Sequence, residues 1–216
     1  MGEPASASLF EQFTSFVADV MTRGGIVMWP LLGLSVLSVA LCIERSIFWI
    51  RLNGGGRTRW LQRLNAALRT GDRETGEKLL RGDRSAYAAV AAKLLDSGAS
   101  DAVATEAIEA QRPSIDRFMT ILSTVITAAP MLGILGTVLG IIDSFRVLSS
   151  GATSSDTRLV SQGIAEALIT TAAGLIVALA ALFPYMLFRS RADRALGRFE
   201  TIIAAAQEGR ERRGGR

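Results

Sequence analysis

Three long apolar stretches limit what this chain can fold into more than any other feature. No charged residue occurs from Gly24 to Ile43 or from Phe118 to Ile142, and the stretch from Leu159 to Phe188 contains only one, Glu166. A helix of about 20 apolar residues is long enough to cross the hydrocarbon core of a bilayer. The sequence therefore predicts an all-α integral membrane protein with three transmembrane helices.

The apolar stretches also predict the order of segments along the chain. Residues 1–22 contain no Lys or Arg, so the basic region of a cleavable signal peptide is missing and we expect the first span to be retained. The predicted segments are an N-terminal amphipathic helix at 1–23, transmembrane helices at 24–50, 118–148 and 159–188, a helical region at 51–117, a short link at 149–158 and a basic helical tail at 189–216 with a disordered end.

The basic residues orient these segments. Twelve Lys and Arg residues lie in 51–117 and eight lie in the tail, whereas the link carries only Arg158. Because Lys and Arg are enriched in cytoplasmic segments, we expect the C-terminus in the cytoplasm and the N-terminus and the link in the periplasm. Two interpretations of the basic tail stay open, namely topology alone or contact with anionic membrane lipids.

Helical periodicity continues beyond the spans. We predict one helix over roughly 101–148 that passes through Pro113, and a third helix that continues past Phe188 and frays at 209–216. The second and third transmembrane helices would then extend into a cytoplasmic helical bundle. Residues 60–69 would contribute a helix with Leu61, Leu64, Ala67 and Leu68 on one face. A loose loop with a few surface helices is the alternative for 51–117.

Composition excludes several classes of site. The chain has no His and a single Cys, Cys42, so zinc sites built on His, Ser-His-Asp triads and internal disulfides are excluded. We expect no metal, no cofactor and no enzymatic activity. The pI near 10 is explained by the arginines that flank the spans, so we expect no nucleic-acid binding.

Glu166 is the unusual residue of the third span. A charged group at the bilayer centre costs roughly 2.5–3.5 kcal/mol on insertion scales. A low-dielectric environment favours the neutral form of a carboxyl group, so such a residue can bind and release a proton. Thr170 lies one helical turn further on, and Gly163 and Gly174 lie on roughly the same face. The alternative is that Glu166 lies at the membrane interface, since it is close to the start of the span.

The second span carries small residues at helical spacing. Gly133, Thr137 and Gly140 share one face with Ser144, and Gly136 forms a GxxxG pattern with Gly140. Small residues let membrane helices approach closely, so we interpret the glycines as packing residues. Asp143 and Arg146 close the span and are placed to pair.

Two motifs together resemble those of the ExbB/TolQ/MotA family of proton-channel subunits. Segment 129–141 (APMLGILGTVLGI) resembles the family pattern AP-x-x-G-x-x-GTV-x-G, and segment 163–175 (GIAEALITTAAGL) resembles GIAEAL-x-x-TA-x-GL. The first span, from Pro30 to Glu44-Arg45, also resembles that of the family. Three spans favour the ExbB/TolQ branch over flagellar stator proteins, which usually have four.

The resemblance implies a function and partners. Family members form pentamers around a pore that holds two ExbD/TolR-like single-span subunits, and they use the proton motive force to act on a TonB- or TolA-like protein. It also implies that Glu166 is the pore carboxylate and that Thr137 and Thr171 are pore hydroxyls, with Thr170 beside them in the proton pathway. Asp143, where relatives often have a neutral residue, would lie at the outer pore mouth, where it attracts cations or simply pairs with Arg146.

We therefore expect the channel-forming stator subunit of a proton-driven motor in the bacterial inner membrane. A related motor for gliding, defence or polysaccharide handling is one alternative. A membrane scaffold that orders partner subunits without conducting protons is another.

Overall fold

The protein is entirely helical in the part of the chain that its computed structural model describes, which comprises Glu11, residues 25–149 and residues 156–214. Within these residues the chain forms seven helices. They are α1 (Met28–Leu52), α2 (Arg57–Thr70), α3 (Arg73–Leu80), α4 (Ala86–Ser97), α5 (Asp101–Ile115), α6 (Met119–Ser149) and α7 (Asp156–Gly214). The predicted N-terminal amphipathic helix at 1–23 and most of the predicted link at 149–158 lie outside the described residues.

Three of the helices are long and apolar enough to cross a membrane, as predicted. They are α1, α6 and the part of α7 that begins at Val160. α6 and α7 continue through Pro130 and Pro184, respectively. The all-α fold with three candidate membrane spans is therefore confirmed.

The chain divides into two compact units. The apolar unit contains the described residues up to Cys42 and those of 121–184. A small core in this unit combines Val27, Met28 and Leu31 with Ala129 of α6 and Ala178 of α7. Large apolar side chains cover its outer surface, for example Met131, which is 70% exposed, and Phe183, which is 73% exposed. Such a surface is suited to lipid or to other membrane helices.

The arginine-rich unit contains residues 43–120 and 185–216. Its core is aromatic and aliphatic, and the rings of Tyr87 and Phe199 meet edge to face with centroids 5.5 Å apart. The predicted face of α2 is confirmed, because Leu61, Leu64, Ala67 and Leu68 are all buried. The buried residues of α7 in this unit form one stripe along the helix, and they are Phe188, Ala192, Ala195, Phe199, Ile202, Ala205, Ala206 and Gly209.

Local signals define the ends of the short helices. The side chains of Asp72, Ser85 and Ser100 each accept a hydrogen bond from a backbone N–H in the first turn of α3, α4 and α5, respectively. These are the residue types that most often cap helix N-termini. Burial of Asp83 raises its pKa, but hydrogen bonds from Ser85 and Arg57 outweigh that effect and hold the pKa below its ordinary value.

The prediction of one continuous helix over 101–148 is wrong. α5 continues through Pro113, as expected, but it ends at Ile115, and α6 begins only at Met119. Between them Phe118 has a left-handed backbone with φ of 65°. The guanidinium of Arg45 donates to the carbonyl oxygens of Ser114 and Ile115, at 3.0 and 3.2 Å. A side chain therefore satisfies carbonyl groups that a continuing helix would have used, which stabilises the break.

α7 continues to Gly214, beyond residue 209, where we expected fraying to begin. The reason lies in the packing near its end. Gly209 is buried against the carbonyl group of Leu68, and a side chain on Gly209 would collide with that oxygen. Tertiary contact therefore stabilises a segment whose composition alone favours disorder.

Candidate functional site

The site is built on the close approach of α6 and α7 in the apolar unit. A Cβ atom added at Gly174 would lie 2.5 Å from the carbonyl oxygen of Ala129, and one added at Gly133 would lie 3.0 Å from the Cα of Thr171. At Gly140 it would lie 2.7 Å from the Cβ of Ala167. Gly136 against Thr170 and Gly163 against Ser144 are closer still. Gly133 and Gly174 thus lie against the backbone of the facing helix, whereas Gly136, Gly140 and Gly163 lie against side chains of that helix, and a Cβ at any of the five would crowd its neighbour.

Threonine hydroxyl groups connect the two helices along the same contact. Thr171 Oγ1 donates to the carbonyl oxygen of Gly133 at 2.9 Å, and Thr170 Oγ1 donates to the same oxygen at 3.2 Å. Thr170 is buried, whereas Thr171 and Thr137 are half-buried. The hydroxyl oxygens of Thr171 and Thr137 lie 3.5 Å apart. The helix pair therefore presents two adjacent hydroxyl groups beside a carbonyl group that carries two hydrogen bonds.

Glu166 lines a cavity of about 250 Å³ within the apolar unit. Asp143, Ser144 and Thr170 contribute its other polar side chains, and Ile26 and Val27 contribute apolar ones. The Glu166 carboxylate is half-buried and accepts a hydrogen bond from Gln162 Nε2 at 3.0 Å. The cavity therefore brings two carboxyl groups and two hydroxyl groups into one space between apolar helices that is large enough for several water molecules.

The second carboxyl group, Asp143, has a partner on its own helix. Arg146 Nη1 donates to Asp143 Oδ1 at 3.1 Å, and both side chains are largely exposed, at 76% and 70%. An exposed ion pair of this kind contributes little to stability. Asp143 thus pairs with Arg146, as one of the two alternatives predicted, and it also lines the cavity.

The sequence-predicted residues fall into two groups along the helix pair. Glu166, Asp143 and Thr170 line the cavity, whereas Thr137 and Thr171 form the hydroxyl pair and are outside it. Gln162, whose amide donates a hydrogen bond to the Glu166 carboxylate, is not among the residues predicted from the sequence. The sequence does contain a signal for this residue, because side chains four residues apart lie on the same face of a helix and an amide can there bond to a carboxylate.

Arg45 is the other residue whose environment differs from expectation. Glu44 and Arg45 end an apolar stretch, and charged residues at such a position are typical anchors at the membrane interface. The Arg45 side chain is instead only 1% exposed and lies within the arginine-rich unit. Its Nε donates to Glu44 at 2.8 Å, and its guanidinium lies 4.2 Å from the centroid of the Phe48 ring. The described residues contain no group of three or more His, Cys, Asp and Glu side chains that could hold a metal ion.

Comparison with known proteins identifies the family. The model of the MotA/TolQ/ExbB proton channel family matches residues 80–201, more than half of the chain. The chain belongs to this family. The matched region contains α6, the hydroxyl pair, most of α7 and the cavity lining that these two helices supply. Together with the three apolar helices, membership makes the chain a multi-pass protein of the inner membrane.

Individual relatives specify the ExbB/TolQ branch. The chain is similar to a putative biopolymer transport protein, ExbB-like 3, of Synechocystis, with 37% identity over 77% of this chain and 82% of that protein. It is 30% identical to the biopolymer transport protein exbB1 of Vibrio cholerae, over 83% and 82% of the two chains. It is also 38% identical to the Tol-Pal system protein TolQ of Pseudomonas aeruginosa, over 44% of this chain and 41% of that protein.

Proposed function

We propose that this chain is the channel-forming stator subunit of an inner-membrane motor driven by the proton motive force. The observation that carries the proposal is Glu166, a half-buried carboxylate in an otherwise apolar span that lines a polar cavity beside the α6–α7 contact. A carboxyl group in an apolar span is costly, and such groups in membrane proteins mark proton and ion pathways.

The geometry gives Glu166 a specific task. One carboxylate oxygen is held by the Gln162 amide, which fixes the orientation of the group. The other oxygen then takes up and releases the proton. The hydroxyl groups of Thr137 and Thr171 each both donate and accept hydrogen bonds, so they extend a path for a proton along the helix pair. Each elementary charge that crosses 100 mV supplies about 2.3 kcal/mol, enough to drive a conformational change.

The proposed partners follow from the family and from the relatives. We propose a homo-oligomer, a pentamer by analogy with the family, around ExbD/TolR-like single-span subunits. The motor would act on a TonB- or TolA-like protein, in line with the biopolymer-transport and Tol-Pal names of the relatives. The arginine-rich unit would face the cytoplasm and the N-terminus the periplasm. In this account the chain moves protons and is not an enzyme.

Native mass spectrometry of the complex, extracted gently from its own cells, tests the assembly. The proposal predicts a ring of five copies with a small single-span subunit. The partner's sequence would then show which envelope process the motor serves. A monomer that survives mild extraction would contradict the proposal.

A pair of matched variants tests the role of the carboxylate in cells. Glu166→Gln removes the titratable group, whereas Glu200→Gln makes the same chemical change at an exposed residue of the arginine-rich unit. We expect Glu166→Gln to abolish work that depends on the proton motive force while leaving the assembly intact, and Glu200→Gln to retain full activity. Full activity of Glu166→Gln would favour a scaffold that does not conduct protons.

A further inference from the structure

A second cavity, separate from the candidate proton site, lies within the arginine-rich unit where α1 and α7 leave their apolar stretches. Its volume is about 450 Å³. Three arginines of α7 line it on one side, and the last residues of α1 line it on the other. The lining side chains are Arg191, Arg194, Arg198, Trp49, Ile50 and Asn53. We call it the arginine cavity.

The positive charge of the arginine cavity is not neutralised by the chain itself. No carboxylate lines it. Within the described part of the chain, no salt bridge involves Arg191, Arg194 or Arg198. Arg198 donates only to neutral groups, to Asn53 Oδ1 and to the hydroxyl group of Tyr87. Elsewhere in this unit arginines do meet acids, as Arg57 meets Asp83.

An unpartnered donor belongs to the same cavity. Trp49 is only 1% exposed, and its indole Nε1 is buried without a hydrogen-bond partner among the described residues. Leaving a buried donor unsatisfied costs roughly 1–3 kcal/mol, and most such groups in proteins have a partner. A lining of three guanidinium groups that have no acidic partner is matched to an anion that has several acceptor oxygens, and the Trp49 indole forms part of its wall.

We propose that the arginine cavity binds an anionic phosphate group, most readily that of a phospholipid headgroup. Guanidinium groups bind phosphate through paired N–H donors, which favours phosphate over a simple halide. The position along α7 favours a lipid as the source. With a rise of about 1.5 Å per residue, Arg191, Arg194 and Arg198 lie roughly 4.5, 9 and 15 Å beyond Phe188, the last residue of the apolar stretch. The headgroup layer beside the hydrocarbon core is roughly 5–7 Å thick. Arg191 therefore lies in the headgroup layer, and the other two extend the site away from the hydrocarbon core.

The apolar part of the lining supports the same source. Ile50 is 67% exposed and shares the cavity with the guanidinium groups. A phospholipid presents a phosphate next to a glycerol and acyl region, so it meets both surfaces at once. A soluble phosphate uses only the polar surface. The tail of this chain thus contains a defined site, and its charge does more than set topology.

Native mass spectrometry of the full complex tests the proposal, with the protein in detergent and lipid added at defined ratios. The probes are phosphatidylglycerol, which is anionic, and phosphatidylethanolamine, which has no net charge. The test variant is Arg191→Gln/Arg194→Gln, and the matched control is Arg59→Gln/Arg63→Gln, which removes the same charge from exposed residues of α2. Trp49→Phe removes the N–H donor but keeps the aromatic packing.

We expect the wild type and the α2 control to retain phosphatidylglycerol over phosphatidylethanolamine, and the test variant to bind it at least about tenfold more weakly. Trp49→Phe should bind it a few-fold more weakly. Displacement of the lipid by millimolar inorganic phosphate would show that soluble phosphate also occupies the site, and binding of phosphate without lipid preference would assign the site to soluble phosphate. Equal binding by the wild type and the test variant, or an equal loss in the α2 control, would overturn the proposal.

Discussion

The helices of the two units are held together by different kinds of contact. In the apolar unit, α6 and α7 are held by glycines, by threonine hydroxyl groups and by carbonyl oxygens, and most large apolar side chains point outwards. In the arginine-rich unit, aromatic and aliphatic side chains are buried and helices begin at capping residues. No large apolar side chain is exposed in 51–120 or in the described residues after 187.

The difference reflects the medium that each unit is built for. Where lipid surrounds a helix, burying an apolar side chain brings little gain, because the lipid is equally apolar. Close backbone contact and hydrogen bonds then determine how helices associate. Where water surrounds a helix, burial of apolar surface stabilises the fold by about 25 cal/mol per Å². The same chain therefore follows two sets of packing rules, and substitutions can test each set separately.

The largest effect is expected for Gly174→Leu in the apolar unit. A side chain at this position would be forced against the Ala129 carbonyl oxygen and the Gly133 backbone, neither of which can move without separating the helices. We expect a loss of about 3 kcal/mol. That corresponds to a decrease of roughly 6–12 °C in the melting temperature of the purified protein. Gly33→Leu is the control, because a Cβ at Gly33 meets no atom within 4 Å. Equal effects of the two variants would contradict packing by close approach.

A somewhat smaller effect is expected for Arg45→Met, which tests the buried charge of the arginine-rich unit. Loss of the guanidinium leaves the carbonyl oxygens of Ser114 and Ile115 without their donor, at a cost of roughly 2–3 kcal/mol. Amide hydrogen exchange should also accelerate in 116–120. Arg51→Met, at an exposed position of the same helix, should change neither quantity. Unchanged exchange in Arg45→Met would show that the break at Phe118 does not depend on Arg45.

Thr170→Val tests a single hydrogen bond between α6 and α7 in the apolar unit. Valine keeps the shape of the buried side chain but removes the bond to the Gly133 carbonyl oxygen. Interhelical hydrogen bonds in membranes are worth about 0.6 kcal/mol on average, so we expect a decrease of roughly 1–2 °C in the melting temperature. Thr127→Val removes a hydroxyl group that bonds only within α6, and it should have no comparable effect. A larger loss for Thr127→Val would contradict the assignment.

The smallest effect is a pH dependence confined to the arginine-rich unit. The pKa of Asp83 is depressed in the folded protein, so the carboxylate stabilises the fold above its unfolded pKa of about 3.9. That stabilisation is lost as the pH falls from about 4 through the lower folded pKa. Thermal melts between pH 6 and 3 should therefore be less pH-dependent for Asp83→Asn than for Asp96→Asn, an exposed carboxylate. Parallel curves for the two variants would contradict the role of Asp83.

The sequence predicted the three spans and singled out the residues of the candidate site, because both depend on local chemistry. Long uncharged runs require membrane helices, and a lone carboxylate such as Glu166 is conspicuous among them. The glycine positions were predictable because helical spacing places them on one face. The break at Phe118 was not predictable from local pattern, since the carbonyl groups at the end of α5 are satisfied by Arg45, about 70 residues away in sequence.

Tertiary contacts also explain the other differences. The Arg/Gly-rich end of α7 has the composition of a frayed segment, but contact between Gly209 and Leu68 depends on two distant parts of the chain. The arginine cavity could not be predicted from the sequence for the same reason, since residues 49–54 and the arginines of α7 that line it are about 140 residues apart in the chain.

Proton flux into liposomes would show whether Glu166 lies on a proton pathway through the membrane. The complex is reconstituted with its partner subunit, a membrane potential is imposed, and the internal pH is followed for the wild type, Glu166→Gln and the Glu200→Gln control. The account predicts flux through the wild type and the control, and a loss of at least about tenfold in Glu166→Gln. Undiminished flux through Glu166→Gln, with the complex assembled, would remove Glu166 from the proton pathway and contradict the account.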